Sequence, residues 1–247
     1  MDGVAAQDEY RELLDRLDVM SEPAYAAFQS RLVPGEKILG VRVPRLRALA
    51  REVAKGDWRG FLAAAGEGSM EEVMMQGLVV GYAEMEYEEA LTRAAAFVPK
   101  IGSWAVCDTC ASSFRFLKKD PERSLEFLER FLRGDGQFAV RFAVVAMMDF
   151  FLTGTCLRRL FSDFDRVSHP GYYAKMAVAW AVSACIAKFP ERTNAYLEHC
   201  RLDDWTYRKA IQKALESYRV SGGEKRLPML RRPQLLKPER AYRFRSL

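Results

Sequence analysis

The chain has 247 residues, of which 49% are hydrophobic and 29% charged, a balance expected of a soluble globular protein with a large core. No apolar run approaches the roughly 18 residues a bilayer span requires. The N-terminal stretch MDGVAAQDEYRELLDRLD is acidic and amphipathic, unlike a secretory or transit peptide. Five cysteines, an odd number set mostly within apolar helical patterns, speak for reduced thiols in a cytoplasmic protein. Net charge is +5, unevenly placed: residues 219–247 carry nine Lys or Arg against Glu224 and Glu239, which makes this tail +7 and the remainder −2. A basic tail with Tyr242 and Phe244 among its arginines suits a phosphate backbone, and a solvated tail without a partner is the plain alternative.

Helical periodicity runs from end to end, and no segment alternates convincingly at period two. The pattern predicts helices near 7–20, 22–32, 43–55, 57–65, 69–83, 86–98, 103–118, 121–133, 137–152, 171–188, 190–200 and 203–218. Ser69-Met70-Glu71-Glu72 reads as a capping box, and Asp120-Pro121 as an N-cap followed by proline in the first turn. Helices opening near Ser69, Ser103, Gln137, Tyr172 and Asp204 are spaced by 34, 34, 35 and 32 residues. Between them, Lys119-Asp120-Pro121-Glu122-Arg123 returns as Lys188-Phe189-Pro190-Glu191-Arg192, and Leu128-Glu129 as Leu197-Glu198, both offset by 69 residues, or two periods. A fixed period in this range marks an all-α solenoid of HEAT-like helix pairs, each burying its apolar stripe against its neighbours. The expected organisation is one repeat domain over 1–218 with a concave ligand face, followed by the basic tail at 219–247.

One class of helix collects the polar and aromatic residues of interest. The helices opening at 103, 137, 172 and 204 carry Trp104 and Asp108, then Arg141, then Lys175 and Trp180, then Tyr207, Arg208 and Lys209. A curved surface with basic and aromatic groups fits a nucleic-acid duplex, although solenoids commonly bind proteins. Trp104 and Asp108 are four apart and share a helical face, so a carboxylate and a π face are available to one cationic centre. Taken alone, such a Trp is more often core and such an Asp capping or solvated. Arg141 stands among Phe138, Val140, Phe142 and Val144 and needs an acidic partner or an anionic ligand. Cys107 and Cys110 form a C-x-x-C without a second pair at zinc spacing, and there are only two histidines, His169 and His199. No glycine-rich phosphate loop or G-x-S-x-G elbow is present. Metal-free chemistry, or binding alone, is what these residues suit.

These segments, in this order and with this period, resemble the AlkD-like DNA alkylation repair family of helical-repeat glycosylases. The resemblance runs from the first helix pair to about Arg226. It rests on Leu39-Gly40-Val41-Arg42-Val43-Pro44 leading into Arg45-Leu46-Arg47, on Ser103-Trp104-Ala105-Val106-Cys107-Asp108, on Arg141, on Lys175 to Trp180, and on Tyr207-Arg208-Lys209-Ala210-Ile211. It implies excision of N3- and N7-alkylated purines from double-stranded DNA by a monomer, without metal, cofactor or membrane and without base flipping. By position, Asp108 corresponds to the catalytic carboxylate and Trp104 and Trp180 to aromatic walls. Arg141 corresponds to a group on the DNA backbone, with Lys175, Tyr207, Arg208 and Lys209 as further DNA contacts. An alkylated purine is already cationic and needs no general acid to leave. The loop Val33–Lys37 is longer than the family pattern, and Tyr25 and Phe28 are both candidates for the pattern's N-terminal aromatic. A non-catalytic binder of damaged or branched DNA, and a protein-binding repeat scaffold, are the alternative functions.

Overall fold

The computed structural model describes residues 2–216, and these are all-helical. In chain order the helices are α1 (Asp2–Val19), α2 (Pro23–Ser30), α3 (Val43–Val53), α4 (Trp58–Ala64), α5 (Met70–Tyr82), α6 (Tyr87–Phe97), α7 (Trp104–Ala111), α8 (Pro121–Glu129), α9 (Gln137–Phe151), α10 (Leu157–Phe164), α11 (Tyr172–Lys188), α12 (Pro190–His199) and α13 (Asp204–Glu216). The basic tail at 219–247 lies outside the described residues. No described helix is long and apolar enough to cross a membrane.

The described residues fall into two compact units, divided between Phe151 and Leu152. In the first, α3, α5, α7 and α9 pack side by side in sequence, while α6 leans on α5, α8 on α9, and α1 on α4. This is the helix-pair repeat that the period of about 34 residues announces. In the second, α11 packs against both α12 and α13, and Phe161 of α10 stacks on Tyr196 of α12 with ring centroids 4.1 Å apart.

Local chemistry explains where the layer helices begin. Ser69 and Ser103 accept from the backbone N–H of Glu72 and Val106, and Asp203 from those of Trp205 and Thr206. Each cap supplies an acceptor for a first-turn N–H that has no partner inside its helix. Helices α5 and α9 are buried on nearly all sides, as helices flanked by neighbours in a layer must be. Close packing of α5 on α7 depends on two glycines. A Cβ at Gly77 would lie 2.4 Å from Phe97 Cζ and 2.6 Å from Cys110 Sγ, and one at Gly81 only 2.1 Å from Ser113 Oγ. Cys110 thus fills a notch in α5.

Two elements differ from the sequence expectation. The helix expected over 103–118 stops at Ala111, and a 3-10 turn follows at Arg115–Lys118. Ser112 and Ser113 turn their hydroxyls back onto the carbonyls of Thr109 and Cys110, occupying acceptors near the helix end. Helix α10 has no counterpart in the sequence reading, which left 153–170 unassigned. Its buried Leu157, Leu160, Phe161 and Phe164 nevertheless follow helical spacing.

Candidate functional site

Helix α7 carries the site in the first unit and is fixed from three sides. At its start, Trp104 is half-buried, and its indole Nε1 donates to the carbonyl of Leu32 at 3.2 Å. That carbonyl belongs to the loop between α2 and α3, whose far end is clamped by a buried acid. Glu71, 1% exposed, accepts from three consecutive backbone N–H groups, those of Leu39, Gly40 and Val41, at 2.9, 2.8 and 3.2 Å. Charge-assisted bonds of this kind are each worth about 1.5–3 kcal/mol. Gly40 makes the turn at φ +92, where a Cβ would also strike Glu22 O at 2.5 Å. The Leu39-Gly40-Val41 segment therefore owes its residue types to the Glu71 clamp and to this tight passage.

At the other end of α7, Arg47 of α3 donates from Nη2 to the Thr109 carbonyl and Ser112 Oγ, both at 3.0 Å, and from Nη1 to Tyr82 Oη at 2.7 Å. Between these anchors lies Asp108. Arg141 of α9 meets it as a fork, Nε to Oδ1 and Nη2 to Oδ2, each at 2.7 Å. The side chain of Arg141 is 7% exposed and that of Asp108 22%. The guanidinium is consequently enclosed, while the carboxylate keeps an edge open to solvent, one helical turn (about 6 Å) from Trp104. This is the acidic partner that the apolar surroundings of Arg141 demand.

A second carboxylate belongs to this neighbourhood. This is Asp149, further along α9. Its pKa is pushed up to about 6, first by desolvation and then by the charge of Asp108. Cys107 and Cys110 face inward and are fully buried. Burial, and next the charge of Asp108, push the Cys107 thiol up; burial pushes the Cys110 thiol up. Both are core thiols. Among the described residues no group of three or more His, Cys, Asp or Glu is arranged to hold a metal ion.

The remaining expected residues all belong to α11 and α13 of the second unit. Trp180 is 37% exposed. Lys175 reaches Asp203 Oδ1 at 3.2 Å, Arg208 Nε donates to the Asp204 carbonyl, and Lys209 Nζ donates to Gln212 Oε1. Tyr207 requires a correction. At 1% exposure it is a core residue, on the same face of α13 as the buried Ala210, Ile211 and Ala214, and is not available as a DNA contact. The sequence names Glu71 only within a capping box and Arg47 only within a resembling segment, gives neither a role at the site, and leaves Asp149 unmarked. An acid followed within the next turn by Met74 and Met75 was the available signal for Glu71.

The sequence model of the DNA alkylation repair enzyme family matches residues 13–214. The chain belongs to the DNA alkylation repair enzyme family. No curated protein matches it individually. The family match spans both units and includes Trp104, Asp108, Arg141 and Trp180. Membership gives the protein a role in DNA alkylation repair, with DNA as the partner class.

Proposed function

We propose that the protein is a DNA N-glycosylase that releases N3- or N7-alkylated purines from duplex DNA, with Asp108 as its catalytic carboxylate. The observation that carries this reading is the Arg141–Asp108 fork, which presents a carboxylate at a fixed angle with one edge open, beside an indole held by Leu32.

In the reaction the bond between C1′ of the sugar and the purine nitrogen breaks, and its electron pair goes to the base. A base made cationic by alkylation leaves as a neutral molecule, so no proton donor is needed. The positive charge then develops on the sugar, where a preoriented carboxylate and an aromatic face stabilise it more than they stabilise the ground state. Water adds to C1′ and gives up its proton, leaving an abasic site. Asp108 supplies the charge, Trp104 the π face, and Arg141 the orientation of Asp108. This assigns Arg141 a positioning role, since its donors are spent on a carboxylate and are enclosed with it. Lys175, Arg208 and Lys209 supply phosphate contacts from the second unit.

The test is chromatographic detection of free alkylated base after incubation of the full-length protein with methylated duplex DNA in a chelating buffer. The proposal expects free alkylpurine and alkali-labile abasic sites in equal amounts. Repair that leaves the base on the DNA, or activity that vanishes with the chelator, would sink it.

A further inference from the structure

The second unit exposes a row of rings. Along α11, Tyr172, Met176 and Trp180 follow one another at i, i+4 and i+8, with Tyr173 beside them, on the face turned away from the buried Ala174, Ala177, Val178 and Ala181. Tyr172 is 56% exposed and Trp180 37%, both unusual for side chains of this size. At 1.5 Å per residue the row spans about 12 Å. Helix α13 extends it sideways: Trp205 meets Tyr172 edge to face at a centroid distance of 5.6 Å, and Tyr173 meets Tyr172 likewise at 5.3 Å. Cations border the rings. Lys209 Nζ lies 5.8 Å from the Trp205 ring, Arg208 is its neighbour on α13, and Lys175 stands on α11. Asp203, the nearest carboxylate to Lys175, is already engaged in capping α13 and in pairing that lysine.

Exposed aromatic side chains edged by cations have one obvious complement in a DNA partner. Inside a duplex the faces of the bases are covered by their neighbours, and only the backbone and groove edges are presented. Aromatic side chains open to solvent gain stacking energy only from bases that have left the stack, while the flanking Lys and Arg take the phosphates between them. We propose that Tyr172, Trp205 and the α11 row form a stacking platform for unpaired nucleotides of a DNA strand, such as an overhang or a gap. This rests on the reading of the protein as DNA-handling, but not on base excision.

The experiment compares a labelled hairpin duplex carrying a short unpaired thymidine overhang with its blunt counterpart, by fluorescence anisotropy on the full-length protein at one fixed salt concentration. The wild type is expected to bind the overhang roughly tenfold tighter, about one base's worth of stacking. Tyr172→Ala should bring the ratio close to one, and Tyr172→Phe, which keeps the ring, should retain it. An unchanged ratio in Tyr172→Ala overturns the platform, and so does a ratio near one in the wild type with blunt-duplex binding still measurable. Absence of binding to either DNA overturns the platform together with the DNA reading beneath it, which separates the two failures.

Discussion

Asp108 and Arg141 stand 33 positions apart, and each makes sense only with the other. A guanidinium in an apolar helix demands an anion, and that demand was legible in the sequence, but the identity of the anion was not. DNA phosphate and a protein carboxylate satisfy it equally on paper; the fold selects the carboxylate by placing α7 next to α9. The two-pronged geometry also decides what a conservative change would do. Lysine keeps the charge but offers a point donor in place of the planar fork, so Asp108 would lose its fixed angle. Arg141→Lys is expected to fold, and to lower the rate of base release by about ten- to a hundredfold, since misplacement by about 1 Å is enough for that. Single-turnover kinetics at saturating protein would show it, and an unchanged rate would remove Arg141 from the positioning role. Tyr207 carries the opposite lesson. Its phase matches that of the buried Ala210, Ile211 and Ala214, whereas the resemblance grouped it with Arg208 and Lys209 as a DNA contact. Periodicity is the better guide to orientation, because a helix turns neighbouring residues about 100° apart.

At the scale of elements, the long helices were readable because their apolar positions recur and because α5, α7 and α13 start on capping side chains. What the sequence reading missed has physical causes. Helix α10 is only eight residues long and its N-cap residue, Cys156, makes no side-chain capping bond, so no start signal preceded its apolar positions. The early end of α7 is set by serine hydroxyls and by Arg47, a residue 62 positions from the Thr109 carbonyl it binds. Long-range satisfaction of a carbonyl leaves no local trace. The glycines of α5 show the same coupling between elements. Glycine costs a helix interior about 1 kcal/mol relative to alanine, so Gly77→Ala would stabilise α5 in isolation. Contacts of 2.4 and 2.6 Å with Phe97 and Cys110 outweigh that gain. Gly77→Ala is therefore expected to destabilise the protein by about 1–3 kcal/mol, as overpacked cores do. Denaturant unfolding would measure it, and a stabilised variant would mean that α7 yields more readily than this packing implies.

For the whole molecule, a period of about 34 residues was the most informative single property of the sequence, since it foretold the all-helical fold class. The family match over 13–214 bears out the resemblance to the DNA alkylation repair family. Charge is distributed at the same scale: the +7 segment at 219–247 follows a body of net charge −2. The proposed function puts chemistry in the first unit, through Asp108, Arg141 and Trp104, and the proposed platform puts strand contacts on α11 and α13 of the second.

The measurement that bears most directly on this assignment is base release from methylated duplex DNA by Asp108→Asn beside the wild type, with affinity for the same DNA determined in parallel. Asparagine keeps the size and one acceptor of the side chain but removes its charge. Loss of release by at least about a hundredfold, with affinity within a few-fold of wild type, is the predicted result. Release at the wild-type rate would contradict the account and take Asp108 out of the reaction.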